Sequence, residues 1–277
     1  MSGKVCVITG ANTGIGRVVA RELACQGARV VLACRSRERS EAALAEVRDA
    51  GRGDNADFLD LDLSDLASVR RAATELLDRN HPIHVLVNNA GVAGRHGLSA
   101  DGFELSFAVN HLGHFLFTHL LLQRIRESAP ARIVTVASKA HYGAKGIDFD
   151  ALRNEARSKT GFAEYEVSKL ANVLFSSELG RRLAGSGTTT YALHPGVIAS
   201  DIWRGVPWPI RPLIKLFMKS NDDGARAVLR CATAADLAAE TGNYYDELHR
   251  AEPSSAAQDD TLARELWDRS AEWSATN

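Results

Sequence analysis

Short runs of β-branched and apolar residues recur at 4–9, 28–33, 56–61, 84–89, 131–136 and 188–194, and stretches with apolar residues at three- and four-residue spacing lie between them. The first pattern is that of strands and the second that of helices, near 15–26, 36–50, 64–79, 103–126 and 164–184. Regular alternation of the two leaves few folds. Each strand returns parallel to the one before through a right-handed helical crossover, which builds a sheet with helices on both faces. A further short strand over 242–245 would make a doubly wound, mostly parallel, seven-stranded sheet. With no internal repeat and no Pro/Gly/Ser linker, residues 1–277 are expected to form one α/β domain.

Composition narrows the partners. The formal charge is −1 and no run gathers the basic residues, so nucleic acid has no electrostatic foothold. Cys6, Cys25, Cys34 and Cys231 are scattered without metal-ligand spacing; they read as reduced thiols of a cytoplasmic protein, and no metal site is expected. No signal peptide is visible, the first strand begins almost at Met1, and no stretch approaches the roughly 20 apolar residues of a transmembrane helix.

Thr9-Gly10-Ala11-Asn12-Thr13-Gly14-Ile15-Gly16 follows the strand Val5-Cys6-Val7-Ile8 and opens a helix. In that setting glycines let the backbone approach a pyrophosphate, which meets the amides at the helix N-terminus, so the fold is expected to be Rossmann-like with a dinucleotide cofactor. An NAD-binding site usually carries an acid at the end of the second strand for the ribose 2′-hydroxyl. Here Cys34 stands there and Arg35 follows, with Arg37 and Arg39 nearby. A guanidinium fork suits a phosphate, so Arg35 favours NADP(H) over NAD(H), while Arg37 and Arg39 read as solvated helix-start residues.

Tyr165 and Lys169 are four apart in a helical pattern and therefore share one face, and Ser138 follows a middle strand. A cation beside a phenol favours phenolate, so Lys169 is expected to pull Tyr165 from its usual pKa of about 10 toward neutrality.

Taken in order, the glycine turn, Asp62-Leu63, Asn88-Asn89-Ala90-Gly91, Asn110, Ser138, Tyr165 with Lys169, and Pro195-Gly196 resemble a short-chain dehydrogenase/reductase over nearly the whole chain. Ala33-Cys34-Arg35-Ser36, Val109 to Phe115, Ser168 to Asn172, Leu193-His194-Pro195-Gly196 and Leu266-Trp267-Asp268 resemble its retinol dehydrogenase-like branch. The resemblance implies hydride transfer between NADP(H) and a carbonyl or alcohol. Tyr165 would be the proton donor or base, Ser138 would hold the substrate oxygen, Lys169 would tune Tyr165 and bond the nicotinamide ribose, and Asn110 would anchor a water leading from Lys169 to solvent. It also implies cofactor contacts at Thr9, Gly10, Asn12, Thr13, Gly14, Ile15 and Gly16 around the pyrophosphate and at Arg35. Asp62 and Leu63 would lie at the adenine, and Asn89, Ala90 and Gly91 on the ribose side, with Asn88 and Ala90 serving the fold. Pro195, Gly196, Ile198 and Ser200 would lie near the nicotinamide, the Ser200 hydroxyl meeting its carboxamide.

Two departures from the family pattern stand out: Ala137 replaces the first serine of a pair, and Thr13 takes a position often basic in NADP-dependent subgroups. His111, His114, His141 and His194 read as structural. Substrate choice is expected to lie in the insertion 142–164 and in a lid at about 199–220 holding Trp203, Trp208, Phe217 and Met218, which suits a bulky hydrophobic carbonyl or alcohol. Within the lid, Trp208 to Lys215 is basic and amphipathic enough to touch a membrane surface, a weaker alternative. Two competing functions are a reductase of a carbon–carbon double bond, as in protochlorophyllide reductases, and a non-catalytic NADP(H)-binding scaffold. Relatives commonly pair through their two long central helices, which implies a homodimer or homotetramer.

Overall fold

The computed structural model describes residues 1–197 and 219–275. The strands are β1 (Val5–Thr9), β2 (Arg29–Cys34), β3 (Ala56–Asp60), β4 (Val85–Asn88), β5 (Ala131–Val136), β6 (Thr188–His194), β7 (Asn243–Asp246) and β8 (His249–Ala251). They form one sheet in the order β3-β2-β1-β4-β5-β6-β7-β8. Every pairing is parallel except β7 with β8. The sheet therefore has eight strands where seven were expected. The extra one, His249-Arg250-Ala251, carries no β-branched residue and is held by a tight reversal from β7, so nothing in its composition announces it.

The helices are α1 (Gly14–Cys25), α2 (Glu41–Ala50), α3 (Leu66–Asp78), α4 (Leu105–Glu127), α5 (Phe162–Arg182), α6 (Asn221–Thr233) and α7 (Asp260–Ala275). Side chains alternate along each strand and so feed two separate cores. Cys6, Ile8, Val30, Leu32, Val134 and Tyr191 pack with α1, α2 and α6 on one face. Val7, Val31, Leu59, Leu86, Ile133 and Ala192 pack with α3, α4, α5 and α7 on the other. Caps set several helix starts: Asp65 accepts from the Ala67 amide at α3, Glu104 from Ser106 and Phe107 at α4, and Ser220 with Asp223 forms a reciprocal box at α6.

α4 is long and apolar enough to span a membrane by length and composition, although no such stretch was expected; 72% of its most apolar window is buried inside the fold, where it serves as a core helix. α7, which the periodicity did not mark, lies across the outer sides of α4 and α5. Trp267 stacks on Phe175 with centroids 5.9 Å apart, meets Phe115 edge-on at 5.0 Å and lies 4.4 Å from the Arg182 guanidinium. His111 and Ser270 share a buried 3.0 Å hydrogen bond. Trp273 packs on Phe103, Phe107 and Phe149, so α7 also touches the insertion that precedes α5. Trp267→Ala should destabilise the fold by about 3–5 kcal/mol in denaturant unfolding, the cost of emptying a large aromatic site; a loss under about 1 kcal/mol would mean α7 is a loose appendage.

Candidate active site

The expected site residues gather at the carboxyl ends of β1, β4, β5 and β6, on one edge of the sheet, where an open α/β fold forms its crevice. At β1 the turn is tightly interlocked. Gly10 has φ +66°, and a Cβ there would lie 3.0 Å from Ala90 Cα; one on Gly16 would lie 2.5 Å from Asn89 Nδ2 and 2.7 Å from the Gly10 carbonyl. Thr9 is buried, and its hydroxyl accepts from the Asn89 and Ala90 amides at 2.9 and 3.0 Å while pairing with His114 Nε2 at 2.8 Å. The Asn89 side chain donates to the Thr9 carbonyl at 2.8 Å. Thr9 and Asn89 thus hold the turn to β4.

α1 begins differently from the capped helices. Its N-cap residue, Thr13, makes no side-chain cap bond to the first turn, no acid lies in that turn, and Gly14 has φ +58°. Its leading amides carry the positive end of the helix dipole, which is the chemistry a pyrophosphate needs. Asn221, at the start of α6, lies across from Gly14, with Oδ1 3.8 Å from where a Cβ would stand. At the end of β2 the Cys34 thiol is pushed up by burial, against hydrogen bonds from Ser40 and from the backbone of Asn12, Ala11 and Gly10. Arg35 extends outward with a side chain 62% exposed, and its Nη1 is 3.8 Å from Asp62. Asp62 also accepts from the Ser64 amide and hydroxyl at 2.9 and 2.6 Å. Leu63 is buried with its carbonyl against Gly113, where a Cβ would be 2.5 Å away.

Lys169 is 2% exposed. Its ammonium donates to the Val136 carbonyl at 2.9 Å, which the Asn172 amide shares at 3.2 Å, and lies 5.6 Å from the Tyr165 ring centroid. Burial holds the Lys169 pKa down at about 7. Tyr165 is also buried, and burial pushes its pKa up, partly offset by a hydrogen bond from Ser138. The expected lowering by Lys169 is therefore overturned: a phenol out of water resists ionising, and the lysine meant to compensate is itself desolvated to the edge of neutrality. Ser138 ends β5 in extended geometry and its Oγ accepts from the Ala140 amide at 3.1 Å.

Asn110 lies in a π-helical turn, Ala108–Leu112, within α4. Its side chain clamps the Val92 backbone, accepting from the amide at 2.8 Å and donating to the carbonyl at 2.9 Å, and also meets Ser168 Oγ at 2.9 Å. Its carbonyl accepts from His114 Nδ1 at 3.0 Å. Burial holds His114 down at about 4, so the ring is neutral, with its hydrogen on Nδ1. Gly91 separates Asn110 from Lys169: a Cβ there would be 3.1 Å from Asn110 Oδ1 and 3.6 Å from Lys169 Nζ.

Pro195 and Gly196 follow β6, with Gly196 at φ +95° beside Glu247 and Lys219. Ile198, Ser200, Trp203, Trp208, Phe217 and Met218 lie outside the described residues. The insertion places Phe162 on Tyr165, ring centroids 5.8 Å apart. Its central part, with Leu152, lines a cavity of about 150 Å³ shared with Glu104, Ala163, Glu164 and Val167. Helical spacing puts Ala163 and Val167 on the face of α5 turned away from Tyr165 and Lys169, so that cavity is separate from the crevice.

The sequence model described as short chain dehydrogenase matches residues 4–150. The chain is 46% identical over 275 residues to human retinol dehydrogenase 11, covering 97% of this chain and 85% of that protein. Mouse retinol dehydrogenase 12 is also 46% identical, over 276 residues, covering 98% of this chain and 86% of that protein. The chain belongs to the short-chain dehydrogenase/reductase family, in a retinol dehydrogenase-like branch. It is an oxidoreductase of the kind that binds a nicotinamide cofactor. Among solved structures, an uncharacterised protein from Mycobacterium paratuberculosis superposes with a TM-score of 0.79 at 34% identity, covering 100% of this chain and 95% of that one. A Brucella melitensis 3-ketoacyl-(acyl-carrier-protein) reductase with NADH and Pseudomonas aeruginosa RhlG with NADP each give 0.69 at 25% identity. They cover 88% and 89% of this chain and 96% and 95% of their own.

Two residues that the sequence reads as structural are brought to this dehydrogenase site, His114 between Thr9 and Asn110 and His141 at Ser138, together with Asn221 opposite the glycine turn, which the sequence analysis does not single out. His114 lies inside the Val109 to Phe115 motif and His141 three residues after Ser138, whereas Asn221 could be found only from the packing of α6 on α1. The unfolded chain holds the Lys169 proton to about 10.5 and the folded chain releases it near 7, so the unfolded state binds more protons between these limits. Stability contributed by this position should rise with pH through that window, at up to about 1.4 kcal/mol per pH unit. Denaturation of wild type and Lys169→Met from pH 7 to 10 measures it: a constant gap between them would show that Lys169 is not depressed.

Proposed function

We propose that this protein uses NADP(H) to interconvert a carbonyl and an alcohol on a bulky hydrophobic small molecule, working as a ketone or aldehyde reductase. The observation that carries this reading is the meeting of Tyr165, Ser138 and Lys169 at the sheet edge, on the side of the glycine turn and of a helix whose first turn holds no acid. The residues present fit the cofactor. The amides of Gly14, Ile15 and Gly16 would hold the pyrophosphate, with Asn12, Thr13 and Gly10 shaping the turn that Thr9 anchors. Asp62 and Leu63 would bound the adenine, Asn89, Ala90 and Gly91 would wall the ribose side, and Pro195, Gly196, Ile198 and Ser200 would border the nicotinamide. NADP(H) is favoured over NAD(H) because the end of β2 offers a protonated thiol and an exposed guanidinium in place of a carboxylate.

When bound, the cofactor supplies the hydride that reaches the carbonyl carbon. As charge grows on the carbonyl oxygen, Tyr165 delivers its phenolic proton there and the Ser138 hydroxyl donates to the same oxygen, holding it in place. A raised Tyr165 pKa keeps that proton loaded at neutral pH, which suits reduction; the oxidative direction needs phenolate and should quicken as pH rises. A Lys169 poised near 7 takes up and releases protons without leaving its carbonyl anchor, and Asn110 shapes the passage behind it across Gly91. Exposed Tyr142, Phe162 and Val197 neighbour Ser138, Tyr165 and Gly196, an apolar rim that suits a hydrophobic substrate. The four free cysteines fit a reducing, cytoplasmic setting.

Tyr165→Phe is expected to abolish turnover in an NADPH-monitored screen of ketones, aldehydes and retinoid alcohols while NADPH affinity, read by fluorescence, stays within about threefold; turnover that persists removes Tyr165 from the chemistry. Identifying the product separates carbonyl reduction from saturation of a carbon–carbon bond. Arg35→Ala should weaken NADPH by roughly tenfold or more and NADH little, as expected for a lost charge-assisted pair to phosphate; equal losses for the two cofactors would show that Arg35 does not read the 2′-phosphate.

A further inference from the structure

His141 is fully buried in the turn that follows Ser138, and both ring nitrogens are engaged. Nδ1 lies 2.6 Å from the Ser138 carbonyl, which can only accept, so Nδ1 carries the hydrogen. Nε2 receives the Ser254 amide at 3.1 Å and so offers a lone pair. The ring is therefore neutral with one tautomer fixed, in keeping with the downward push that burial gives it against the Ser138 bond. The His141 amide also donates to the Ser138 carbonyl, at 3.1 Å. Tyr142 packs at a tilt against the ring with centroids 4.1 Å apart and Tyr244 meets it edge-on at 4.8 Å. The Tyr142 hydroxyl donates to the Glu252 carbonyl, a second tether to the same segment. The charged and titratable surroundings are His194 at the end of β6, which interacts with His141 and also with Lys139, Asp246 and Glu247, and Glu166 of α5 beside Gly143.

Building on the reading of Tyr165 and Ser138 given above, we propose that His141 is a positioning residue, clamping the Ser138 carbonyl to the 252–258 segment so that the Ser138 hydroxyl stays aimed at Tyr165 and the substrate oxygen. The Ser138 carbonyl is gripped by the imidazole and the Ser138 Oγ accepts from the Ala140 amide, so the hydroxyl hydrogen remains to be donated. The Ser138 carbonyl lies past β5, which ends at Val136.

Three substitutions separate the two nitrogens. Asparagine can set an amide nitrogen where Nδ1 lies, glutamine can set an oxygen where Nε2 lies, and phenylalanine keeps only the ring packing. The Tyr165 phenol is titrated by ultraviolet difference spectroscopy in the cofactor-free protein, each variant against its Tyr165→Phe counterpart. Turnover, KM and NADPH affinity are measured beside it. His141→Phe and His141→Gln should move the Tyr165 titration to higher pH, because the Ser138 hydrogen bond that opposes burial is loosened. They should lower kcat by roughly 10- to 100-fold with NADPH affinity little changed. His141→Asn should recover most of both, and adding Ser138→Ala to His141→Phe should shift Tyr165 no further than Ser138→Ala alone. The proposal is overturned if Tyr165 titrates alike in all variants, or if asparagine rescues no better than glutamine; that comparison stands even if the phenylalanine variant does not fold. Wild-type protein without any carbonyl turnover would defeat the functional reading instead, while the Tyr165 titration would still decide the role of His141.

Discussion

A lysine stripped of water is costly to keep charged, and the crevice of this protein is arranged around one. Lys169 is committed to the Val136 carbonyl, a group that becomes available because β5 ends there. Asn172 supports the same carbonyl from one turn further along α5, and Gly91 withholds a side chain that would crowd the ammonium. That anchorage fixes the rotation of α5, which in turn brings Tyr165 under Ser138. Two desolvated titratable groups then hold each other in balance, one reluctant to take a proton and the other reluctant to lose it.

A second junction orders the cofactor side. The Thr9 hydroxyl joins β1 to the backbone after β4 and, through His114, to the π turn that presents Asn110. The Asn110 carbonyl, presented by the widened turn, meets the imidazole directly. The glycine turn and the catalytic helices are thus one connected hydrogen-bonded unit, with neutral histidine as the coupler.

The strands up to β7, the parallel order and the identity of the clustered residues were legible because they depend on local signals: β-branched runs, three- and four-residue spacing, and glycines where the backbone has no room for a Cβ. β8 was not, since its pairing comes from a hairpin rather than from composition. α6 and α7 were missed because Asn221-Asp222-Asp223 and the polar surface of α7 dilute the apolar rhythm, and their stability comes from packing on α1 and α5. The direction of the Tyr165 shift was also illegible. Spacing along a helix shows which side chains are neighbours, but how much water each has lost is decided by residues far apart in sequence, such as Phe162 above and the β5 end below. For the same reason Thr9 could be placed at the crevice but not recognised as spent on internal bonds.

α7 gives the fold a property that its strands do not. By lying over Phe115, Phe175 and the Arg182 guanidinium, it covers the outer sides of the two helices that carry Asn110 and Tyr165. Because that cover is tethered to the same polypeptide, its effective concentration is set by the connecting chain and not by how much protein is present. Dilution therefore does not uncover those sides, and the support behind the catalytic helices is the same in a sparse solution as in a crowded one.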